Sequence, residues 1–366
     1  MTKAAELAKM GEVLTNSQIG GRRNIVINGA MQVAQRATSV TGATDGGYKT
    51  CDRWSVSNTS QGTWTISQSS TTPSDFTNSL KFDCTTADGT TNASDQLGVD
   101  TRIEAKDLIQ LNYGSSSAKT ITLSFHVRSN KTGTYTFEAY AQDPNRGFSK
   151  TYTIDSADTW EKKEIVIPGD TSAGQNFDDN AEIGIIFKWW LAAGSTFTGG
   201  TYTDNVWRAN TNANRVSSSN VNLADSTDNE WYITGVQVEV GEQATPFEHR
   251  SFGEELALCQ RYYNQFNDDG SNEGYITNGL IRFDRFYGVI RFPQTMRAAP
   301  TVSSTGSAFQ VLSHSNTTSG YSIDEAHIPT VHSVRLRTGS NSNLGNGEAS
   351  ILMFSSSGNL SLDSEL

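Results

Sequence analysis

The 366-residue sequence is short of charge, and most of the charge that it carries is negative. Charged residues make up 18% of the chain, below the roughly 25% of an average soluble protein. The sequence contains 28 lysines and arginines and 39 acidic residues, which gives a formal net charge of -11. A nucleic-acid-binding protein needs a basic stripe to neutralise phosphates, and the sequence provides none. We therefore expect no nucleic-acid partner.

Long hydrophobic runs are also missing. No segment approaches the roughly 20 consecutive apolar residues that are needed to cross a bilayer. The first residues lack the apolar core of a signal peptide. We therefore expect no membrane insertion and no Sec-dependent export, so the chain should fold in a cytoplasm.

Cysteine is rare. The three cysteines, Cys51, Cys84 and Cys259, cannot all pair within one chain, and their scattered positions fit no metal-binding spacing. Because a cytoplasm keeps thiols reduced, we predict that all three are small buried side chains. A disulfide between Cys51 and Cys84 is the alternative.

Signatures of catalysis are missing as well. The five histidines are scattered and have no neighbouring serine or cysteine signature of a nucleophilic triad. No motif pairs two carboxyl groups at the roughly 5–10 Å separation that glycoside cleavage requires. Glycine-rich phosphate loops are also absent. We predict that the protein is not an enzyme.

The sequence contains instead many short apolar alternations separated by polar turns. This pattern predicts strands, and their regular spacing is typical of an antiparallel sandwich. We predict a mainly β protein with a β-sandwich, a short linking helix, a smaller C-terminal all-β domain and a short N-terminal helix. The predicted boundaries are 1–23 for the N-terminal helix and linker, 24–250 for the sandwich, 251–264 for the linking helix and 265–366 for the C-terminal domain.

The N-terminal segment has the pattern of a short amphipathic helix. Thr2 can cap a helix in which Leu7, Met10 and Leu14 lie on one face at spacings of three and four residues. A helix of this length is marginal in water by itself. We expect the apolar face to dock on its own domain, on other copies of the chain or on a separate partner.

The stretch from Glu230 to Tyr263 marks the end of the sandwich. Its apolar alternation changes parity near Thr234-Gly235, so we predict a β-bulge there. Ser251 followed by Glu254 matches a capping box. The helix that this box starts is predicted to continue to about Tyr263.

Six segments of the sequence form a distinctive series in chain order. They are Asn-Ile-Val-Ile-Asn-Gly-Ala-Met-Gln at 24–32, Tyr-Lys-Thr-Cys-Asp-Arg-Trp at 48–54, Asp-Thr-Trp-Glu-Lys-Lys at 158–163, and the runs at 232–241, 244–248 and 255–263. Together they resemble tail-fibre and related virion proteins of tailed bacteriophages that carry a jelly-roll domain like a carbohydrate-binding module. Beyond them, only Met-Arg-Ala-Ala-Pro-Thr at 296–301 is similar to the segment after the helix in such proteins.

The resemblance implies a jelly-roll β-sandwich, a location in the virion and a homotrimer attached through the N-terminal segment. The implied partners are other copies of the chain, phage tail or other virion proteins, and host surface polysaccharide. Folding would take place in the cytoplasm of the host bacterium. Leu7, Met10 and Leu14 would then be the virion-docking or oligomer residues.

A structural calcium ion occurs in related cellulose- and xylan-binding modules, but its acidic ligands are missing here. Gln32 stands where those modules carry a glutamate, and Thr234-Gly235 stands where they carry aspartates. Calcium prefers carboxylate oxygens. Asp178-Asp179 and the acids of 225–230 could replace them, but clustered acids in loops are usually solvated. We predict no metal site and no cofactor.

Sugar binding needs exposed aromatic faces for stacking and nearby polar groups for the hydroxyls. Our glycan-binding candidates are Trp189, Trp190, Tyr202 and Trp207, with Trp64, Tyr140 and Phe148 as weaker ones. Because Trp189 and Trp190 are adjacent on one strand, at most one of them can lie in the sandwich core. Trp54, Trp160 and Trp231 are assigned to the core.

These observations favour a non-enzymatic structural protein of a tailed-phage virion, a homotrimeric tail fibre that attaches to host surface glycan. The first alternative is a structural adaptor or capsid appendage without glycan specificity. The second alternative is a depolymerase that cleaves host polysaccharide.

Overall fold

The computed structural model describes Lys3 and residues 23–267, 274–304, 308–314, 317–327, 329–340, 343–355 and 358–366. The chain forms two compact units, one of residues up to Glu255 together with Leu366 and one of residues Leu256–Glu365. The predicted N-terminal helix with Leu7, Met10 and Leu14 lies outside the described residues. Within the described residues, every helix is too short or too polar to cross a bilayer.

The first unit is an antiparallel β-sandwich, which confirms the predicted mainly β jelly-roll class. Its strands are β1 Ser39–Ala43, β2 Gly47–Tyr48, β3 Ser55–Thr59, β4 Thr63–Ser69, β5 Ser79–Thr86, β6 Gln96–Glu104, β7 Ile121–Ser129, β8 Gly133–Ala141, β9 Arg146–Ile154, β10 Glu161–Ile167, β11 Ile183–Ala193, β12 Arg208–Ala209 and β13 Glu230–Val240. Sheet A has the order β1-β4-β5-β13-β7-β10, and sheet B has the order β12-β9-β8-β11-β6-β3-β2.

Short helical segments lie between these strands. They are the 3-10 helices Ala105–Leu111, Asn212–Asn214 and Leu223–Asp225 and the single-turn helix α1, Ser195–Thr198. Helix α1 belongs to the long segment between β11 and β13.

The core lies between sheets A and B because alternate side chains of each strand point inward. Trp54 and Trp231 are 1% and 0% exposed and belong to it, as predicted. Trp160 is only half-buried, so its assignment to the core was wrong. It precedes β10, where its ring meets Tyr232 with centroids 6.0 Å apart on the outer side of sheet A.

The closing strand β13 contains the predicted bulge. Its register with β7 shifts between Thr234 and Gln237. Gly235 has a φ of +62° there, a conformation that favours glycine. A Cβ atom at this position would lie 2.6 Å from Cζ of Phe76 and 2.8 Å from Nδ1 of His126. The bulge therefore keeps Val236 and Val238 in the core after the change of parity, and Gly235 leaves room for the rings of Phe76 and His126.

The segment that opens the sandwich is bonded directly to the strand that closes it. The Asn24 side chain donates to the carbonyl of Val236 at 3.0 Å and accepts from the amides of Val26 and Val238 at 3.0 and 3.1 Å. The amide of Asn24 donates to Glu248 at 2.8 Å. Three of the segments that carry the resemblance thus form one hydrogen-bonded clamp.

His126 lies over the bulge with its ring 5.3 Å from that of Phe76. Its Nδ1 atom is buried without a hydrogen-bond partner in the structure. Burial lowers the pKa of His126 below its usual 6.5, Lys162 lowers it further, and Asp75 opposes the shift. The folded protein thus holds the imidazole in its neutral form.

We expect the stability of the sandwich to fall on acidification through His126. Below pH 6.5 the unfolded chain takes up a proton that the folded chain resists, so stability is fully present above about pH 6.5 and is lost as the pH falls through the folded pKa. All seven tryptophans lie in the first unit, so their fluorescence reports its unfolding in urea. Comparing wild type with His126→Gln across about pH 5 to 7.5 isolates this contribution.

The matched control is His314→Gln, which removes an exposed histidine from the second unit. It should leave the pH dependence of the tryptophan signal unchanged. An identical pH dependence in wild type and His126→Gln would contradict the assignment to His126.

The three cysteines are buried thiols, as predicted, and the alternative Cys51–Cys84 disulfide does not form. Cys51 and Cys84 are 1% and 3% exposed and pack in the sandwich core. Burial raises the pKa of both thiols, which keeps them protonated and unreactive.

The linking helix α2, Phe252–Cys259, begins with the predicted capping box. The amide of Ser251 donates to the Glu254 carboxylate at 3.0 Å, and the amide of Glu254 donates to the Ser251 hydroxyl at 3.3 Å. The predicted end near Tyr263 was wrong, because Tyr263 already pairs with Asp363 in a sheet. The β propensity of adjacent tyrosines and this pairing outweigh the helical pattern.

The second unit is all β. Its strands are β14 Tyr263–Asn267, β15 Tyr275–Arg282, β16 Arg285–Arg291, β17 Thr301–Ser304, β18 Phe309–Ser313, β19 Thr317–Tyr321, β20 Ile323–His327, β21 Ser333–Thr338, β22 Ala349–Phe354 and β23 Asn359–Asp363. Sheet C has the order β14-β23-β17, and sheet D has the order β19-β18-β22-β15-β16-β21-β20. Its separate core includes Ile281, Phe286, Leu336, Leu352 and Leu360.

Candidate functional site

Two of the four predicted stacking aromatics lie in the sandwich core. Trp189 is 0% exposed and packs against Trp54 and Phe137 with ring centroids 5.6 and 5.2 Å apart. Trp207 is 9% exposed, and its indole N–H donates to the carbonyl of Pro168 at 2.7 Å. Neither ring presents a face to a ligand, so both assignments were wrong.

Trp190 points to the other side of sheet B, as the alternation predicts, but its ring is covered. It is 0% exposed and forms a small second cluster with Phe197 and Val216. The Phe197 ring lies 5.0 Å from it, and Nζ of Lys188 lies 3.7 Å from its ring centroid. Trp190 therefore anchors the segment that contains Phe197 and Val216. Its ring is not accessible to a sugar, so it does not have the exposed face that was predicted.

Tyr202 is half-buried, and its hydroxyl donates to Oδ1 of Asp204 at 2.9 Å. Burial raises the pKa of this hydroxyl, and the Asp204 carboxylate raises it further. Of the weaker candidates, Trp64 and Phe148 are 1% and 0% exposed. Tyr140 is half-buried on the outer side of sheet B.

The outer face of sheet B holds a row of charged side chains that sequence reasoning missed. In the strand register, Lys188 of β11 lies between Asp100 of β6 and Glu138 of β8. These three residues are 6%, 2% and 0% exposed. Buried charges are costly unless each is paired, so this row is a built feature of the sheet.

Glu138 is the most buried member of the row and accepts three hydrogen bonds from two residues. Its two oxygens accept from Nε and Nη2 of Arg215 at 2.8 and 2.9 Å. One of them also accepts from the Trp190 indole N–H at 2.9 Å. A two-pronged guanidinium contact is stronger and more directional than a single bond. Glu138 therefore fixes the segment that carries Arg215 over the sheet.

Lys188 lies along the Trp190 ring and donates to Oε1 of Gln96 at 3.0 Å. Burial lowers the pKa of Lys188 to about 8, while the nearby Asp100 carboxylate opposes the shift. The ammonium group is thus charged at neutral pH. Gly98 makes room for it, since a Cβ atom there would lie 2.9 Å from Cε of Lys188.

Asp100 completes the row on the open side. Its carboxylate accepts from Nε of Arg102 at 2.9 Å and from the hydroxyl of Ser57 at 3.2 Å. Ser57 and Arg102 are half-buried, and Arg102 also donates to the main-chain oxygen of Leu366. This side of the row can be reached from solvent, whereas the Glu138 side lies under Arg215.

The row offers hydroxyl-bearing ligands both donors and acceptors in fixed positions. We name Ser57, Gln96, Asp100, Arg102 and Lys188 the polar row. The charged side chains of the polar row form hydrogen bonds with other members of the row. Little side-chain entropy therefore remains to be lost on binding. Half-buried Tyr140 lies on the same face, and the half-buried ring of Tyr48 lies 5.9 Å from the guanidinium of Arg102.

The described residues contain no group of three or more His, Cys, Asp or Glu side chains that could hold a metal ion. Two of the acids suggested as replacement calcium ligands, Asp225 and Glu230, have basic partners. Asp225 contacts Lys131, and Glu230 contacts Lys81 and Arg128 at 2.7 and 3.2 Å. These two carboxylates are therefore already neutralised by basic side chains.

A scan of family models finds no match to this chain, and no curated protein matches it. Similar solved structures include the enzymatically active domain of tailspike protein 4 from bacteriophage CBA120, at 14% identity and a TM-score of 0.32. The similarity covers 60% of this chain and 21% of the tailspike chain, so this chain spans about a fifth of that protein.

Two carbohydrate-binding modules are also similar. The module TmCBM61, solved with β-1,4-galactotriose, is 9% identical, with 60% of this chain and 100% of that chain covered and a TM-score of 0.30. The family 11 module from Clostridium thermocellum, solved with a mixed-linked tetrasaccharide, is 12% identical, with coverages of 56% and 96% and a TM-score of 0.27. Because these scores and identities are low, we base no functional argument on them.

Proposed function

We propose that this chain is a structural protein of a tailed-phage virion, a homotrimeric tail fibre that binds host surface glycan through the polar row of sheet B. The observation that carries the glycan site is the set of buried, hydrogen-bonded charges Asp100 and Lys188 on neighbouring strands, with half-buried Ser57 and Arg102 beside Asp100. Sugars display hydroxyl groups in fixed directions, and preorganised polar side chains recognise such groups.

The virion role rests on the resembling segments and on the architecture. The clamp that joins residues 24–28 to 236–248 is built from those segments and closes the sandwich. The N-terminal residues Leu7, Met10 and Leu14 would dock the fibre on tail or other virion proteins. Assembly as a trimer would bring several weak glycan sites together and raise avidity through high effective concentration.

The proposed role is non-enzymatic. Glycoside hydrolysis requires a carboxyl group that donates a proton to the leaving oxygen. The two buried carboxylates on the outer face of sheet B, Asp100 and Glu138, both accept hydrogen bonds from arginines. This arrangement supports binding and provides no proton donor for cleavage.

Replacing Lys188 by methionine should weaken glycan binding by about tenfold or more, because a hydrogen bond to a charged group contributes about 1.5–3 kcal/mol. The measurement is binding of fluorescently labelled protein to an array of bacterial lipopolysaccharides and capsular polysaccharides. Since burial lowers the pKa of Lys188 to about 8, wild-type affinity should also fall as the pH rises above that value.

The matched control is Lys162→Met, which removes an exposed lysine from sheet A. The polar row would be ruled out as the site if Lys188→Met bound glycan as well as wild type does. It would also be ruled out if Lys188→Met and Lys162→Met lost the same amount of binding affinity. Binding to no polysaccharide, with the protein found in virions by immunoelectron microscopy, would favour the adaptor or capsid appendage. Release of reducing ends from a bound polysaccharide would instead identify a depolymerase.

A further inference from the structure

The second unit exposes an apolar sheet face that the glycan site does not explain. Among its large hydrophobic side chains, Tyr275, Leu280, Phe283 and Val289 are 67%, 48%, 64% and 52% exposed. All four belong to the hairpin of β15 and β16. Exposed apolar side chains that cluster in this way are typical of interaction surfaces.

The strand register places an apolar stripe on one face of sheet D. Leu280 of β15 lies opposite Tyr287 of β16 and Ala349 of β22. Two residues further along β15 and β22, Asn278 lies opposite Ile351. Ile351 in turn lies opposite Leu312. The residues between them point to the buried side, where Ile281 and Phe286 are both 0% exposed. With strands about 4.8 Å apart, a stripe from β18 to β21 is roughly 20 Å wide.

Arginines border this stripe. Arg337 lies opposite Tyr287 and Arg335 lies opposite Val289, while Arg282 lies opposite Arg285 at the end of the hairpin. Asp324 pairs with Arg285 and Arg337. Arg282 and Arg335 form no ion pair among the described residues. Instead they lie over Phe283 and Tyr287, at 4.8 and 5.8 Å from the ring centroids.

The turn at the tip of the hairpin has an unusual backbone conformation, which is a second and independent observation. Phe283 and Asp284 occupy a two-residue turn with φ values of +50° and +56°. Asparagine or glycine normally fills such positions, and a bulky side chain there is strained. Strained backbone of this kind clusters at functional sites. Here it projects a phenylalanine into solvent beside the apolar stripe.

We propose that this face of sheet D is the surface through which one copy of the chain binds another, so it locates the self-association of the proposed fibre. Aliphatic and aromatic side chains with arginines and few lysines match the composition of protein interfaces. The charge fits a second copy, because the chain carries a net charge of -11 and its arginine-rich face complements an acidic surface. A carbohydrate would gain little from the aliphatic stripe.

Phe283→Asn is the sharpest test, since it separates association from folding. Asparagine accepts the left-handed conformation, so the second unit should melt at the same or a higher temperature. Loss of the projecting ring should weaken self-association by about tenfold or more. Leu280→Gln should act in the same direction. Sedimentation velocity over a range of concentrations measures the association against the 39.8 kDa monomer.

Val206→Thr is the matched control, because Val206 is 47% exposed in the first unit. This substitution should leave the association unchanged. Wild type should sediment as an oligomer, and the Phe283→Asn and Leu280→Gln variants should dissociate. An oligomer that withstands both substitutions would place the interface elsewhere and leave the trimer of the proposed function intact. A monomeric wild type would overturn the interface and the trimer together.

The glycan site is tested by array binding and does not depend on this result. One further outcome would reassign the face. If monomeric wild type bound alginate, an acidic polysaccharide, and Arg335→Gln removed that binding, the face would be a polyanion site and the inference of self-association would be overturned.

Discussion

Glu138→Gln should lower the free energy of unfolding of the sandwich by about 3 kcal/mol, because breaking a buried ion pair leaves an uncompensated charge. Glu138 is 0% exposed and its carboxylate is the common partner of Arg215 and Trp190. An amide cannot accept from all three donors as an anion does. Urea unfolding followed by tryptophan fluorescence measures the loss.

The same substitution should loosen the segment between α1 and the 3-10 helix Leu223–Asp225. Arg215 and Val216 hold this segment on the outer face of sheet B through Glu138 and Trp190. Limited proteolysis should therefore cut residues 199–222 faster in Glu138→Gln than in wild type, under conditions where the sandwich stays folded. Unchanged cleavage would mean that the apolar contact of Trp190 with Phe197 fixes the segment by itself.

Glu164→Gln is the control for the loss of a carboxylate. Glu164 pairs with Lys162 at 2.7 Å, and both side chains are largely exposed. Such a pair contributes less than about 1 kcal/mol, so its loss should be close to the error of the measurement. A similar destabilisation in both variants would contradict the role assigned to burial at Glu138.

A double substitution tests whether the cost comes from the unpaired charge. Glu138→Met combined with Arg215→Met replaces a buried pair by apolar side chains of similar length, which is often neutral or stabilising. The double variant should recover most of the stability that Glu138→Met loses. If the losses simply added, the pair would not act as a unit.

The sequence predicted the fold well where the pattern is local. The bulge at Thr234-Gly235 followed from a change in parity, and the capping box followed from two residue types at fixed spacing. The end of the linking helix did not follow, because pairing of Tyr263 with the distant Asp363 decides it. Long-range pairing of this kind leaves no mark in the local pattern.

A search for large aromatics does not find the charged side chains on the outer face of sheet B. In this fold the tryptophans of β11 are structural, and the informative residues were charges inside apolar strands. Lys188 follows Ile-Gly-Ile-Ile-Phe, and Glu138 stands between Phe137 and Ala139. A charged residue within such a run has to be paired, which predicts a neighbour of opposite sign on the adjacent strand. The register that joins them is not encoded locally.

Trp160 was wrongly predicted to be a core residue. It lies on the outer side of sheet A beside Tyr232. Arg128 also lies over the Tyr232 ring, 5.0 Å from its centroid. Which face a residue meets at the edge of a strand depends on where pairing starts, and the sequence alone does not fix that point.

Asn28→Ala should destabilise the sandwich by about 4 kcal/mol, since buried main-chain groups lose their partners at roughly 1–3 kcal/mol each. The Asn28 side chain accepts from the amide of Val33 at 3.0 Å and donates to the carbonyls of Val33 and Asp52 at 2.8 and 2.9 Å. It is 0% exposed. Its φ of +57° adds a further cost for alanine.

Asn28→Gly separates the two contributions, because glycine accepts the same φ without strain but makes none of the side-chain bonds. Glycine should therefore be less destabilising than alanine by about 1 kcal/mol, and both should unfold well below wild type. Folded Asn28→Gly should still bind glycan with wild-type affinity, because Asn28 bonds to Val33 and Asp52 and is not a member of the polar row. A selective loss of binding without loss of stability would instead connect the Asn-Ile-Val-Ile-Asn-Gly segment, and the resemblance that it carries, directly to recognition.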